Sequence, residues 1–171
     1  MNFVLCGMMG CGKTKLGKLI ASSTGKAWVD TDELLVSRYG SISDLFSFHG
    51  EEYFRQKEEE IIEELSKKDG LVISTGGGSV LRQKNVENLK KQGKILFLRA
   101  KKQTLMERLS KDTARPLLQG EEDLETKIER LLKERTPVYE SVADLILDVD
   151  GYSAMQNAER AILLLKGAGT R

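Results

Sequence analysis

A glycine-rich loop held between an apolar run and a helix leaves a chain few folds to choose from, and this chain opens on one. Asn2-Phe3-Val4-Leu5-Cys6 feeds directly into Gly7-Met8-Met9-Gly10-Cys11-Gly12-Lys13-Thr14, which fits G-x-x-x-x-G-K-[ST] at every fixed position. Gly7, Gly10 and Gly12 let the backbone turn tightly and aim successive N–H groups at one anion. The helix beginning near Lys13 adds its unpaired N–H groups and the positive end of its dipole. Lys13 supplies a point charge for the outer phosphates, and the Thr14 hydroxyl is placed to ligate Mg²⁺. A purine nucleoside triphosphate with Mg²⁺ is the ligand such a loop expects.

At 171 residues the chain suits one well-buried domain and is short for two. Its 27 basic and 26 acidic residues nearly cancel, so no broad field draws it to nucleic acid or to a membrane surface. Small molecules are the expected partners, and a monomer the expected state. The phosphate loop follows so soon after Met1 that a leader has no room, and no apolar run reaches the ~18 residues of a membrane span. The expected location is the cytoplasm. Cys6 and Cys11 are the two cysteines, too close in sequence for a disulfide framework and without a Cys/His cluster for zinc. Cys11 lies in an electropositive loop, a setting that activates thiols; the plainer reading is a small residue filling a loop position.

After the loop, Leu16, Leu19 and Ile20 make a helical stripe that stops at Gly25. Ala27-Trp28-Val29 reads as a second strand ending in Asp30-Thr31-Asp32. Ligands of an open α/β sheet collect at the carboxyl ends of its strands, so these carboxylates and the phosphate loop are expected on one rim. If the chain stays extended there, Asp30 and Asp32 point the same way, one toward the metal and one toward a substrate hydroxyl. The competing use is an aspartate capping the next helix, Glu33 to Arg38. A short helix begins at Ser43-Asp44-Leu45-Phe46 and ends near His49-Gly50, where the histidine reads as a helix-end residue.

Residues 51 to 68 form a long helix whose stripe runs Phe54, Glu58, Ile61, Ile62, Leu65. Glu58 stands where an apolar residue belongs, and Arg55, three residues earlier, can reach it; spacing alone favours an ordinary surface pair. Leu71-Val72-Ile73-Ser74 is a third strand, followed by Thr75-Gly76-Gly77-Gly78-Ser79 in place of the usual magnesium-positioning aspartate. Three glycines suit a backbone that approaches a ligand closely or offers it N–H groups, though a flexible turn has the same composition. A helix through Leu81, Val86 and Leu89 leads to a fourth strand, Lys94 to Leu98. Lys90, Lys91, Lys94, Lys101 and Lys102 read as a solvated surface. The helix of Leu105, Met106 and Leu109 closes with Arg108 and Lys111.

Asp112-Thr113-Ala114-Arg115-Pro116-Leu117-Leu118-Gln119-Gly120 breaks regular structure at Pro116 and Gly120. An arginine on such a loop beside a nucleotide site predicts a lid, at about 111–122, that excludes water and brings charge to the transferring phosphate. A helix over 122–135 carries Leu124, Ile128 and Leu131, and Arg135 continues their stripe inward before Arg135-Thr136-Pro137 ends it. An inward arginine needs an anion, from protein or ligand. The last strand, Leu145 to Val149, leads through Asp150-Gly151-Tyr152 to a final helix with a capping box of Ser153 and Gln156.

Five short strands alternating with helices predict a single three-layer α/β domain with a parallel sheet. Its cleft would be lined by Asp32, Arg55, the turn of Gly76, Gly77 and Gly78, and Arg135. Two arginines and a glycine nest suit a carboxylate, and Asp32 suits hydroxyls. A small hydroxy acid is the implied phosphoryl acceptor.

At this point the sequence resembles the shikimate kinases, within the nucleoside-monophosphate-kinase-like group of phosphate-loop proteins. The resemblance runs from Phe3 to about Asp150. It rests on the loop from Gly7 to Thr14, Asp30-Thr31-Asp32, Phe54-Arg55-Gln56-Lys57-Glu58, Gly76-Gly77-Gly78, Arg115-Pro116-Leu117-Leu118 and Glu134-Arg135-Thr136-Pro137-Val138-Tyr139. The resemblance implies a sheet in the order 2-3-1-4-5 and transfer of the ATP γ-phosphate to the 3-hydroxyl of shikimate, a step of aromatic amino-acid biosynthesis. It implies that Asp30 holds Mg²⁺ through water with Thr14 as direct ligand. Asp32 would bind the ring hydroxyls and act as base, within a substrate-binding segment at about 31–60. Arg55, Arg135 and the glycine turn would form the carboxylate site, Arg115 would be the lid arginine, and Arg108 would lie near adenine. The adenine-loop pattern of some members is not evident in Asp150-Gly151-Tyr152-Ser153. Two other readings compete: a gluconate-kinase-like enzyme of the same fold, with a different acceptor site, and a nucleotide-binding module that transfers nothing.

Overall fold

The computed structural model describes residues 1–111 and 122–167. Its sheet has five parallel strands: β1 (Asn2–Cys6), β2 (Ala27–Asp30), β3 (Leu71–Ser74), β4 (Gly93–Arg99) and β5 (Leu145–Asp148). Their order is β2-β3-β1-β4-β5, as the family resemblance implied. β1 and β3 are buried at every residue. Such continuous apolar runs are what a strand covered on both faces requires. The register sets Val4 opposite Ile73 and Ile95, Leu5 opposite Ser74 and Leu96.

The helices are α1 (Lys13–Thr24), α2 (Thr31–Tyr39), α3 (Ile42–Ser66), α4 (Gln83–Gln92), α5 (Lys102–Leu109), α6 (Leu124–Val142) and α7 (Ala154–Gly167). α1 packs on α7, and α3 on α4, enclosing one continuous core that includes Leu5, Ile20, Ile61, Ile73, Leu96 and Leu105. Because every strand runs the same way, the loops after β1, β2 and β3 leave along one edge. The phosphate loop follows the central strand β1, where connections diverge to either side and a crevice opens.

Three expectations are corrected. The chain does not stay extended through Asp32: α2 begins at Thr31, and the Asp30 carboxylate caps it by accepting from the N–H groups of Asp32 (3.0 Å) and Glu33 (3.3 Å). An aspartate at this position satisfies two orphan helix donors, which ends the extended run at Asp30, two residues short of Asp32. The short helix expected from Ser43 begins one residue earlier, at Ile42, with the Ser41 hydroxyl accepting from the Asp44 N–H as its cap. Its expected end near His49-Gly50 is a bend at Gly50 (φ 80°, ψ 171°), across which it abuts the long helix within α3. Finally, α6 does not end at Pro137 but continues to Val142. The proline removes one N–H, but Lys133, whose carbonyl loses that bond, is exposed to water. Burial of Tyr139 against Phe97, ring centroids 5.1 Å apart, holds the next turn in place.

Candidate active site

Gly7, Gly10 and Gly12 have φ values of 142°, 80° and 102°, a region costly to any side chain. A methyl on Gly7 would also lie 2.7 Å from the Leu98 carbonyl oxygen. The loop is therefore curled, and Lys13 Nζ reaches across it to donate to Gly7 O (2.8 Å) and Met8 O (2.9 Å). Two buried contacts brace the loop from β2 and β3. Trp28 Nε1 donates to Ser74 Oγ (3.1 Å), and Ser74 Oγ donates to the carbonyl of Lys13 (3.0 Å). Cys11 is buried in the loop, 3.8 Å from Lys13 Nζ. Burial raises the Cys6 thiol to about 12, which keeps it protonated and inert at neutral pH.

At the end of β2, Thr14 Oγ1 donates to Asp30 Oδ2 at 2.9 Å. The capping role and the metal-facing role of Asp30 are thus compatible: Oδ1 caps α2 while Oδ2 meets Thr14. A hydroxyl and a carboxylate beside Lys13 form a hard oxygen pair of the kind Mg²⁺ takes. No larger acidic or Cys/His cluster suited to a metal occurs among the described residues.

A cleft of about 530 Å³ joins these groups to the acceptor residues. Its lining includes Lys13, Thr14, Asp30, Asp32, Arg55, Gly76, Gly77, Gly78, Arg108 and Arg135, with Ile42, Phe46 and Phe54 as an apolar wall. Each glycine of the turn is pressed against a different side chain. A methyl on Gly76 would lie 2.6 Å from Asp32 Oδ1, one on Gly77 3.3 Å from Arg135 Nη1, and one on Gly78 2.5 Å from Arg55 Nη2. The turn is there so that three functional groups can close on one backbone segment.

Arg55 is held from behind. Its Nη1 donates to Glu58 Oε2 at 2.9 Å, and Glu58, 1% exposed, also accepts from Ser79 Oγ at 2.6 Å. The pair is largely buried, against the surface pair that spacing alone favours. Asp32 lies in a different balance. Burial, then the carboxylates of Asp30 and Glu58, raise its pKa from 3.8 to about 6, against the opposing pull of Lys13 and Arg55. A carboxylate so tuned takes up a proton more readily than an ordinary one.

A second cavity, of about 350 Å³, lies on the other side of the loop, lined by Cys11, Gly12, Lys15, Leu16, Arg108, Val149, Tyr152, Ala154 and Asn157. Arg108 borders both cavities and donates to Gly10 O (3.1 Å). Arg115, and with it most of the expected lid, lies outside the described residues.

Sequence reasoning passed over Ser79 and Tyr139, both fully buried. Tyr139 Oη donates to Gly77 O at 2.6 Å. Its spacing of four from Arg135 places the two on one face of α6, a signal that was available but not used. The segment 149–157, which walls the second cavity, carries no pattern that announces it.

A family model described as shikimate kinase matches residues 9–166. A shikimate kinase from Thermodesulfovibrio yellowstonii is 46% identical over 162 residues, covering 94% of this chain and 92% of that protein. One from Histophilus somni is 41% identical over 165 residues, covering 96% and 94%. Among solved structures, a shikimate kinase from Acinetobacter baumannii in complex with shikimate superposes with a TM-score of 0.92 at 33% identity, covering 99% of this chain and 95% of that one. Matches of this extent, on a chain whose phosphate loop and glycine turn share one cleft, have one consequence: the chain belongs to the shikimate kinase family.

Proposed function

We propose that this protein transfers the γ-phosphate of ATP to the 3-hydroxyl of shikimate, giving shikimate 3-phosphate and ADP, with Mg²⁺ as cofactor. The observation that carries the reading is the glycine turn, each of whose residues backs onto one of Asp32, Arg135 and Arg55. Two guanidinium groups and backbone N–H groups suit a carboxylate, and an aspartate of raised pKa suits a hydroxyl. Shikimate carries both on a ring that the wall of Ile42, Phe46 and Phe54 can face.

In this reading the loop Gly7 to Thr14, including Cys11, cradles the phosphates, and Lys13 meets the β- and γ-phosphates. Thr14 and Asp30 would hold Mg²⁺, which when bound neutralises phosphate charge. Arg55 and Arg135 fix the acceptor carboxylate, so that the 3-hydroxyl faces Asp32. The hydroxyl oxygen bonds to the γ-phosphorus, the bond to the β–γ bridging oxygen breaks, and Asp32 takes the hydroxyl proton. Arg108 and the second cavity, with Tyr152 and Asn157, take the nucleoside. Arg115, on the segment 111–122, is proposed as the lid cation, and 31–60 as the substrate-binding segment of one kinase domain.

Near-neutral net charge supports a small-molecule partner over a nucleic-acid ligand, and a monomer is the proposed state. Among the described residues no helix is long and apolar enough to cross a membrane, consistent with a proposed cytoplasmic location. The test is ADP release from Mg-ATP with shikimate, gluconate or no acceptor. Stimulation by shikimate alone is the expected result. Stimulation by gluconate would reassign the acceptor, and ATP binding with no stimulation would reduce the protein to a nucleotide-binding module.

A further inference from the structure

Tyr139 is fully buried, yet it does more than fill space. Its ring packs on Phe97 of β4, and its hydroxyl donates to the Gly77 carbonyl at 2.6 Å. In a trans peptide the carbonyl of one residue and the N–H of the next point in opposite directions. Anchoring Gly77 O on α6 therefore turns the Gly78 N–H away from α6. Among the described residues that N–H has no protein acceptor, and Gly78 borders the large cleft.

The same helix carries Arg135 one turn earlier, and its Nη1 lies 3.3 Å from where a Gly77 Cβ would stand. Arg135 is also the strongest positive influence on the Tyr139 hydroxyl, opposing the rise that burial imposes on it. One face of one helix thus holds the glycine peptide with a hydroxyl and presents a guanidinium beside it. Rotation of that peptide would remove its N–H from the cleft while leaving Arg135 in place.

We infer that Tyr139 is a positioning residue: through its hydroxyl it fixes the Gly77–Gly78 peptide so that the Gly78 N–H and the Arg135 guanidinium converge on the acceptor carboxylate. The inference rests on the carboxylate-site reading of Arg55, Arg135 and the glycine turn. Tyr139 touches no reacting atom. Its effect should appear in acceptor recognition and not in nucleotide binding.

Tyr139→Phe is the natural probe because it keeps the ring on Phe97 and removes only the oxygen. Steady-state kinetics would be measured with shikimate and with its neutral carboxamide, alongside Arg135→Ala and a thermal unfolding curve. Tyr139→Phe should raise the shikimate KM ~10-fold, leave the ATP KM within twofold, and shrink the preference for shikimate over the carboxamide by a similar ~10-fold. A loss shared equally by shikimate, carboxamide and ATP, with a lowered Tm, would make Tyr139 a packing residue and overturn the inference. If Arg135→Ala erases the carboxylate preference while Tyr139→Phe leaves it intact, the inference fails and the carboxylate site stands. If neither variant changes that preference, the carboxylate site itself is wrong. Should Tyr139→Phe not fold, Gly77→Ala offers a second probe of the same peptide, with a methyl 3.3 Å from Arg135 Nη1, and the same preference ratio decides.

Discussion

Replacing Asp32 by Asn should make the protein more stable while making it nearly inactive. Burial and the carboxylates of Asp30 and Glu58 raise the Asp32 pKa from 3.8 to about 6. Between those two values the folded chain binds more protons than the unfolded one, so this residue's contribution to stability falls as pH rises. By pH 7 an ionised Asp32 costs up to ~3 kcal/mol, at ~1.4 kcal/mol for each unit of pKa. Asparagine has nearly the same shape and no charge to desolvate. At roughly 2–4 °C per kcal/mol for a chain of this size, the gain in Tm at pH 7 should be several degrees, with ~12 °C as the ceiling. The assay is urea or thermal unfolding of both proteins at pH 7.5 and at pH 4. The difference should be largest at the higher pH and should close at the lower one, where Asp32 of the native protein is protonated. In ADP release, turnover should fall by ~10²–10⁴-fold, the usual worth of a general base. A variant no more stable at pH 7.5, or a difference that does not vary with pH, would refute the electrostatic account of Asp32. For the unaltered enzyme the same pKa predicts that kcat/KM declines as pH drops below about 6.

Lys13→Ala should reduce shikimate-stimulated ADP release to background, since it removes the point charge proposed to meet the outer phosphates; an unchanged rate would remove the phosphate-loop assignment. Glu58→Gln keeps an acceptor for Ser79 but leaves Arg55 without its carboxylate. It should cost ~3 kcal/mol in denaturant unfolding, typical of a broken buried pair, and raise the shikimate KM. Gly17→Ala puts a methyl 2.5 Å from Ser74 Oγ and 2.6 Å from Trp28 Nε1. Although alanine is the better helix former, the variant should lose ~1–3 kcal/mol, and emission from Trp28, the only tryptophan, should report the disturbance. A stabilised Gly17→Ala would mean that the Trp28–Ser74–Lys13 chain yields freely.

Much of this molecule follows from local pattern. The phosphate loop is legible because its geometry is set by neighbours in sequence: three glycines at positive φ and a lysine that folds back onto its own loop. The pairing of Arg55 with Glu58 is legible because helical spacing alone brings residues three apart together, but its burial is settled by packing, since the same spacing fits a surface pair. The central strands β1, β3 and β4 are legible because strands covered on both faces need unbroken apolar runs. Where local pattern misled, a tertiary contact outweighed it. Pro137 should stop α6, but Tyr139 lies two residues beyond it and is buried against Phe97. Asp30 and Asp32 should lie on one extended strand, but the Asp30 carboxylate draws Asp32 into a helix.

The motifs already named the groups that line the cleft; what the tertiary structure alone decided is which of them meets which. Gly76 meets Asp32, Gly77 meets Arg135, Gly78 meets Arg55, and Tyr139 reaches Gly77 across 62 positions. No spacing rule links such residues, because the sheet order β2-β3-β1-β4-β5 determines which strand ends are neighbours, and that order came from the family resemblance and not from any local spacing. The raised pKa of Asp32 belongs to the same class, since it depends on burial and on Glu58, contributed by a different helix. Residue types and local turns were settled by the chain itself, through sterics and short-range hydrogen bonds; the distances and charges that make those residues a site were settled by packing.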